Sequence, residues 1–268
     1  MRKQLGLTVL AAVCLTLPAC DAVLDGAWNQ AQEDFHYSYP LNAGGRIEVE
    51  NQNGPITITG WDQNTVDISG TKYASSQNRL ADLRVEVSPS SDAVTVRTVR
   101  ADPHWWNGGV RYTIRVPRRT ELARIISSNG PIQVESIAGS AHLQTSNGPV
   151  RGVGITGALE VETSNGPVHV TDLAGNANVH TSNGPIELTF DTLHEVHATT
   201  SNGAITLRVP AGAGGTIRAH TSNGSIRSDF DVTTHGLISR RSLDGTFGSG
   251  GPLLDLSTSN GGIHVLKR

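Results

Sequence analysis

The sequence predicts an all-β protein, a single-stranded parallel β-solenoid of about 18 residues per coil with a less regular β-rich cap at its N-terminal side. Three observations predict it. First, Asn-Gly recurs at Asn53, Asn107, Asn129, Asn147, Asn165, Asn183, Asn202, Asn223 and Asn260, and the gaps from Asn129 onward are 18, 18, 18, 19, 21 and 37. A fixed period of this size is the signature of stacked repeats. Second, the residues two, four and six before each Asn are small or aliphatic: Thr145, Leu143 and Ala141, then Thr163, Val161 and Leu159, then Thr181, Val179 and Ala177. That alternation marks a half-buried strand. Third, only 4% of the 268 residues are aromatic while Gly numbers 30 and Pro 12, so the core is built from small aliphatic side chains in short segments, without long helices.

Asn-Gly between alternating strands also suits a two-residue hairpin and hence an antiparallel meander. A meander gives no reason for Thr, Ser and Asn to recur at one place. In a solenoid, equivalent residues stack about 4.8 Å apart and form ladders, with Asn amides bonded along the stack. The Gly of each corner (Gly130, Gly148, Gly166, Gly184, Gly203, Gly224 and Gly261) is expected to supply a positive φ, and the Pro that often follows begins the next strand. Eighteen residues at about 3.3 Å give a perimeter of about 59 Å, enough for three short faces or two longer ones. From Asn129 to the end there is room for about eight coils, with Asp244-Gly245 standing for a degenerate corner inside the last long gap.

In chain order, residues 1–19 read as a secretory signal: Arg2 and Lys3 precede an apolar run from Leu5 to Leu17 that is too short to span a membrane. The run ends in Leu17-Pro18-Ala19-Cys20, which resembles a bacterial lipobox and makes Cys20 the expected lipidation site; Cys14 leaves with the signal, so the mature chain has no disulfide. Residues 20–34 read as a tether. Residues 35–120 form the irregular β-rich coils and cap, with strands around Arg46–Glu50, Ile56–Ile58, Val66–Ile68, Leu83–Val87, Val94–Val96 and Val110–Val116, a hairpin turn at Ser88–Asp92, and Trp61, Tyr73, Tyr112, Trp105 and Trp106 to close the core, the last two also standing as candidate contact residues. Residues 121–268 form the regular Ser-Asn-Gly solenoid. Lys267 and Arg268 are expected to block its open end by charge, against end-to-end self-association.

The stretch from Phe35 to Leu41, Gly44-Gly45-Arg46-Ile47-Glu48-Val49, and Asn53-Gly54-Pro55-Ile56-Thr57-Ile58-Thr59-Gly60-Trp61-Asp62 resembles the opening of an uncharacterised bacterial family known as "putative adhesins". Val116-Pro117 and the Ser-Asn-Gly-Pro-Ile repeats fit the same pattern, and the resemblance covers nearly all of the mature chain. It implies a right-handed parallel β-solenoid and an exported or lipid-anchored protein, on the periplasmic face of either membrane or on the cell surface. It implies no catalytic residues.

Charge and motifs narrow the chemistry. Net charge is −3, with 21 basic and 24 acidic side chains, which lacks the basic footprint of a nucleic-acid binder. Membrane attachment therefore falls to acyl chains on Cys20. Gly152-Val153-Gly154-Ile155-Thr156-Gly157 fits the dinucleotide pattern in letters, but a strand follows it where a pyrophosphate-binding helix is required. His194-Glu195-Val196-His197 is one residue short of the zinc-protease motif, and on a strand its two His face opposite ways. No metal and no cofactor are expected. Parallel β-helices also carry polysaccharide-degrading enzymes, yet the column four after each Asn runs Gln133, Arg151, His169, Glu187, Thr206, Arg227, with no carboxylate pair repeated on adjacent coils. The expected function is a non-catalytic envelope module for protein or glycan contact, with Trp105 and Trp106 as its candidate contact residues and a polysaccharide-acting enzyme or a self-assembling envelope protein as alternatives.

Overall fold

The computed structural model describes residues 31–101, 107–234 and 239–268. The chain enters as β1 (Ala31–Pro40) and makes a first coil from β2 (Arg46–Asn53) and β3 (Ile56–Trp61). It turns back through β4 (Thr65–Ala74), the short helix α1 (Gln77–Ala81) and the hairpin of β5 (Leu83–Pro89) with β6 (Ala93–Arg100), and β7 (Gly108–Pro117) completes a second coil with β6. Regular coils follow: β8 (Glu121–Asn129) with β9 (Ile132–Ile137), β10 (Ala141–Asn147) with β11 (Val150–Ile155), β12 (Leu159–Asn165) with β13 (Val168–Leu173), β14 (Ala177–Asn183) with β15 (Ile186–Phe190), and β16 (Val196–Asn202) with β17 (Ile205–Val209). Next come β18 (Gly215–Asn223) with β19 (Ile226–Ser228), the strands β20 (Val232–Thr234) and β21 (Ser242–Phe247), and a last coil of β22 (Leu253–Asn260) with β23 (Ile263–Lys267).

Two sheets result, so the coil has two long faces. The eleven-stranded sheet runs β1-β4-β7-β3-β9-β11-β13-β15-β17-β23-β19, and the twelve-stranded sheet runs β20-β21-β18-β22-β16-β14-β12-β10-β8-β2-β6-β5. Successive coils pair in parallel with like opposite like: Leu143 faces Val161, Thr145 faces Thr163 and Asn147 faces Asn165. The inward columns are fully buried between the sheets, with Leu143, Val161 and Val179 on one side and Ile132, Val150, Val168, Ile186 and Ile205 on the other. The competing meander is thereby replaced by a stack.

The corner motif has a separate physical reason at each letter. Asn165 donates from Nδ2 to Asn147 Oδ1 at 2.9 Å, and Asn147 donates likewise to Asn129. The buried Thr163 hydroxyl has no partner among the described residues, but at most corners the Thr two places earlier turns inward and caps a corner carbonyl of the adjacent coil: Thr145 on Gly130 at 3.2 Å, Thr200 on Gly184 at 3.1 Å, Thr258 on Gly203 at 2.9 Å. A buried hydroxyl is thus satisfied where an aliphatic side chain would leave that carbonyl unpaired. The Gly is required by close approach and not, as expected from sequence, by a positive φ. A Cβ on Gly166 would stand 2.0 Å from the carbonyl oxygen of Gly148, and one on Gly148 2.3 Å from that of Gly130. Of the glycines at Asn-Gly corners that share this ladder, Gly54 alone has a positive φ.

Four further expectations change. Spatial order departs from chain order at both ends: β2 and β3 lie between β6/β7 and β8/β9, while β22 and β23 lie between β16/β17 and β18/β19. Asp244-Gly245 is no corner copy; it sits in β21, which runs antiparallel to β18 with Asp244 opposite Arg218, so seven rather than eight coils follow from Asn129. Lys267 and Arg268 do not guard an open end, because β23 is flanked by β17 and β19; Arg268 instead ion-pairs with Asp172 and Asp191. Ala31–Asp34, read as tether, belong to β1 and pair with Thr71–Ala74.

The N-terminal cap closes the core with aromatics. Tyr112 is buried, meets Phe35 edge-on at 5.7 Å, and shares a 2.7 Å hydrogen bond with Thr98, which donates to Asn51. Trp61 donates to the Thr65 carbonyl and carries the Arg115 guanidinium over its ring at 4.4 Å.

Candidate functional site

Outward positions on the twelve-stranded sheet form files along the stack, one side chain per coil. Five places before each corner Asn, the file reads Glu48, Arg124, His142, Glu160, Asn178, His197, Asp255 and Arg218 in spatial order. Arg124 joins it through a β-bulge: two residues of β10, Ala141 and Leu143, are matched by Leu122 and Ile125 of β8, and the extra residue restores the alternation. Neighbouring rungs are bonded. His142 Nδ1 lies 2.8 Å from Glu160 Oε2 and His197 Nδ1 lies 3.2 Å from Asp255 Oδ2, while Arg124 and Arg97 both reach Glu50.

Beside this file, where the chain turns into the sheet, a concave groove of about 620 Å³ opens across β8, β10, β12, β14 and β16. Glu121, Arg124, Ser140, His142, Ala158, Glu160, Asn176, Asn178, Glu195 and His197 line it. Its floor is backbone already paired on both sides, so the lining side chains stand on a fixed lattice about 4.8 Å apart. Small residues at the turn, Ser140 and Ala158, leave the space, while Gly139, Gly157 and Gly175 stack so closely that a Cβ on any of them would stand 2.0 to 2.2 Å from a carbonyl oxygen of the neighbouring coil.

A smaller groove of about 370 Å³ lies on the other sheet beside a file of prolines, Pro149, Pro167 and Pro185, with Arg151, His169 and Glu187 along its edge. His169 Nδ1 and Glu187 Oε2 are 3.2 Å apart there. Between the two sheets runs the corner spine, in which Asn53, Asn129, Asn147, Asn165, Asn183, Asn202, Asn260 and Asn223 follow one another through bonds of 2.9 to 3.0 Å. The predicted ladder residues are therefore all brought into one file. Asn53 joins them, although its region read as irregular; its Asn-Gly-Pro-Ile motif was the signal.

Cys20, Trp105 and Trp106 lie outside the described residues. In His194-Glu195-Val196-His197, Val196 is buried in β16 while Glu195 and His197 open into the groove. Sequence reasoning missed this groove because its residues differ from rung to rung and come from the least regular part of each repeat. Among the described residues there is no group of three or more His, Cys, Asp and Glu side chains placed to hold a metal ion.

At the capped end the electrostatics are more tightly set. Asp67, with its side chain 11% exposed, takes a 2.7 Å contact from His36 Nε2 and a 3.1 Å hydrogen bond from Arg115. Burial pushes the carboxyl up, but those two partners outweigh it and hold it below the ordinary carboxylate value.

Comparison with known proteins places these features in context. A family model described as Toastrack DUF4097 matches residues 29–266. No curated protein matches the chain. Among solved structures, a "putative adhesin" from Bacteroides fragilis is similar at 12% identity and a TM-score of 0.45, covering 87% of this chain and 97% of that one. A "putative cell adhesion protein" from Clostridium sporogenes is similar at 11% identity and a TM-score of 0.39, covering 88% and 100%. A further "putative adhesin", from Parabacteroides distasonis, shares 11% identity at a TM-score of 0.28, covering 89% and 98%.

Proposed function

We propose, from the premise that this chain belongs to the Toastrack DUF4097 family, that it is a non-catalytic lipoprotein of the bacterial cell envelope, anchored through Cys20 and acting as an adhesive or scaffolding module. The observation that carries this reading is the groove on the twelve-stranded sheet, where polar side chains from five consecutive coils face one concavity. A stack whose coils are bonded rung to rung resists bending and shear, because moving one rung breaks the ladder on both sides of it. It therefore presents a long, preorganised surface at little ordering cost to a partner. The lipobox-like Leu17-Pro18-Ala19-Cys20 and a net charge of −3 favour acyl chains over charge as the attachment to the membrane.

Two experiments test the reading. Cys20→Ser is expected to release the protein from membranes, as followed by cell fractionation; retention of the variant at wild-type level sinks the anchor. A photo-crosslinking residue placed at Asn178, in the groove, is expected to capture an envelope component in living cells, while the same residue at Arg208, facing outward on β17 in the other sheet, captures none. Equal capture at both positions, or capture only at Arg208, removes the groove from the proposal.

A further inference from the structure

We infer that the groove binds a neutral, linear oligosaccharide laid along the stack axis, with the amides of Asn176 and Asn178 and the carboxylates of Glu160 and Glu195 as its hydrogen-bonding set. The inference rests on the contact-module reading and names the ligand class.

Shape sets the first constraint. The groove crosses five rungs, a run of about 19 Å, and is open along its length, which suits an extended polymer better than a compact small molecule. Each rung presents its own side chain at the same height, so a ligand with a short repeat meets one binding group per unit.

Chemistry sets the second. Asn176 and Asn178 are exposed on the fourth of the five rungs, that of β14, and neither side chain has a hydrogen-bond partner among the described residues. Each amide offers two donors and an acceptor. On the rungs to either side stand Glu160, which spends one oxygen on His142, and Glu195, which is exposed. Donors and acceptors thus alternate over a few ångströms. Vicinal ring hydroxyls, each a donor and an acceptor at once, fit that alternation.

Charge and topology exclude the main rivals. A polyanion meets three carboxylates, Glu121, Glu160 and Glu195, against one guanidinium, Arg124. A peptide adding itself as a strand needs a free sheet edge, and the five strands of the floor are paired on both sides. The described lining holds no Phe, Tyr or Trp, and its two imidazoles, His142 and His197, are engaged with Glu160 and Asp255, so no broad ring offers the sugar a stacking platform. Affinity then accumulates from hydrogen bonds repeated rung by rung, and dependence on ligand length is the signature.

The test titrates the full-length protein in detergent micelles with neutral β-linked glucan, chitin and xylan oligosaccharides of increasing length, read by calorimetry. Affinity for at least one series is expected to rise with each added ring and to level off once the ligand spans the five rungs. Asn178→Ala is expected to weaken binding by roughly tenfold, and Glu195→Gln, which keeps an acceptor, by less. Both positions are exposed, so an unchanged melting curve separates lost binding from lost fold. Preference for heparin, with tighter binding by Glu195→Gln, overturns the neutral class. Failure of every neutral saccharide while the Asn178 crosslink persists overturns the inference and leaves the contact module standing; failure of both removes both. Release of shortened saccharide confirms the ligand class and overturns the non-catalytic reading.

Discussion

In the middle of the stack, from β8 to β17, neighbours in space are neighbours in sequence: Asn165 bonds Asn147 across 18 residues. At the ends the same bond is made across 76 residues, Asn129 to Asn53, and across 58, Asn260 to Asn202. All three are 2.9 Å long. The corner motif therefore specifies a rung and says nothing about which rung of the chain lies next to it. Loop closure grows only slowly more costly with length, so an interposed coil costs little at equilibrium. It matters more for order of assembly, because distant contacts form late. Coil 215–228 has no strand pairing with coil 196–209; the final coil stands between them.

The largest effect that tests this contrast is removal of the interposed coil. Truncation after Pro252 deletes the buried Leu254, Leu256, Ile263 and Val265, a loss on the order of 6–12 kcal/mol of apolar burial, and separates β18 to β21 from the rest. Hydrogen exchange is expected to lose protection across 215–234 and 239–247 while 121–190 keeps it. Uniform loss along the whole chain would mean that the middle is not an independent stack.

This contrast also explains what was legible in the sequence. The middle could be read because each rung repeats the reason for its own residues: Thr145, Thr163 and Thr181 turn in, Asn147, Asn165 and Asn183 bond along the spine. The interposition of Leu253–Lys267 could not, because its Thr258-Ser259-Asn260-Gly261 is the same motif as any other and carries no address. The role of the corner Gly was misread for a related reason. Gly is equally suited to a positive φ and to a close approach, and only the 2.0 Å separation on Gly166 distinguishes them. The groove was hidden because Arg124, Asn178 and Glu195 share a place in space and no letter in common.

A charge in the middle of the stack is the next largest test. Ile186, fully buried, lies opposite Val168 and Ile205. Ile186→Asp is expected to cost several kcal/mol and to lower the melting temperature of the adjacent coils together, since the carboxylate has no partner inside the aliphatic file. An unaltered melting curve would place that side chain outside the core.

A smaller and sharper test exchanges one rung of each kind. Asn165→Ala and Asn260→Ala each remove two ladder bonds, one given and one received, at exposed positions. Each is expected to cost about 1 kcal/mol in denaturant unfolding. Equal losses support a rung whose chemistry is blind to chain order. A loss at Asn260 several times that at Asn165 would break the equivalence and make the interposed coil a keystone for the whole stack.

The smallest expected effect is confined to acid and to the N-terminal cap. The Asn ladder of the middle has no titrating group, whereas β1, β4 and β7 are joined through His36, Asp67 and Arg115. The Asp67 carboxyl is held below its ordinary value of 3.8. Its contribution to stability is therefore complete above that value, where both folded and unfolded chains carry the charge, and is lost as pH falls through the lowered folded value. As the pH is lowered from neutral to below 3.8 and on through that folded value, exchange protection of β1 is expected to fall before that of β12 and β14, and Asp67→Asn should remove that pH dependence. Because the carboxylate bridges two strands that no repeat motif holds, simultaneous acid loosening of β1 and β12 would mean that the cap is secured by its aromatic packing, Phe35 on Tyr112, and not by this charge cluster.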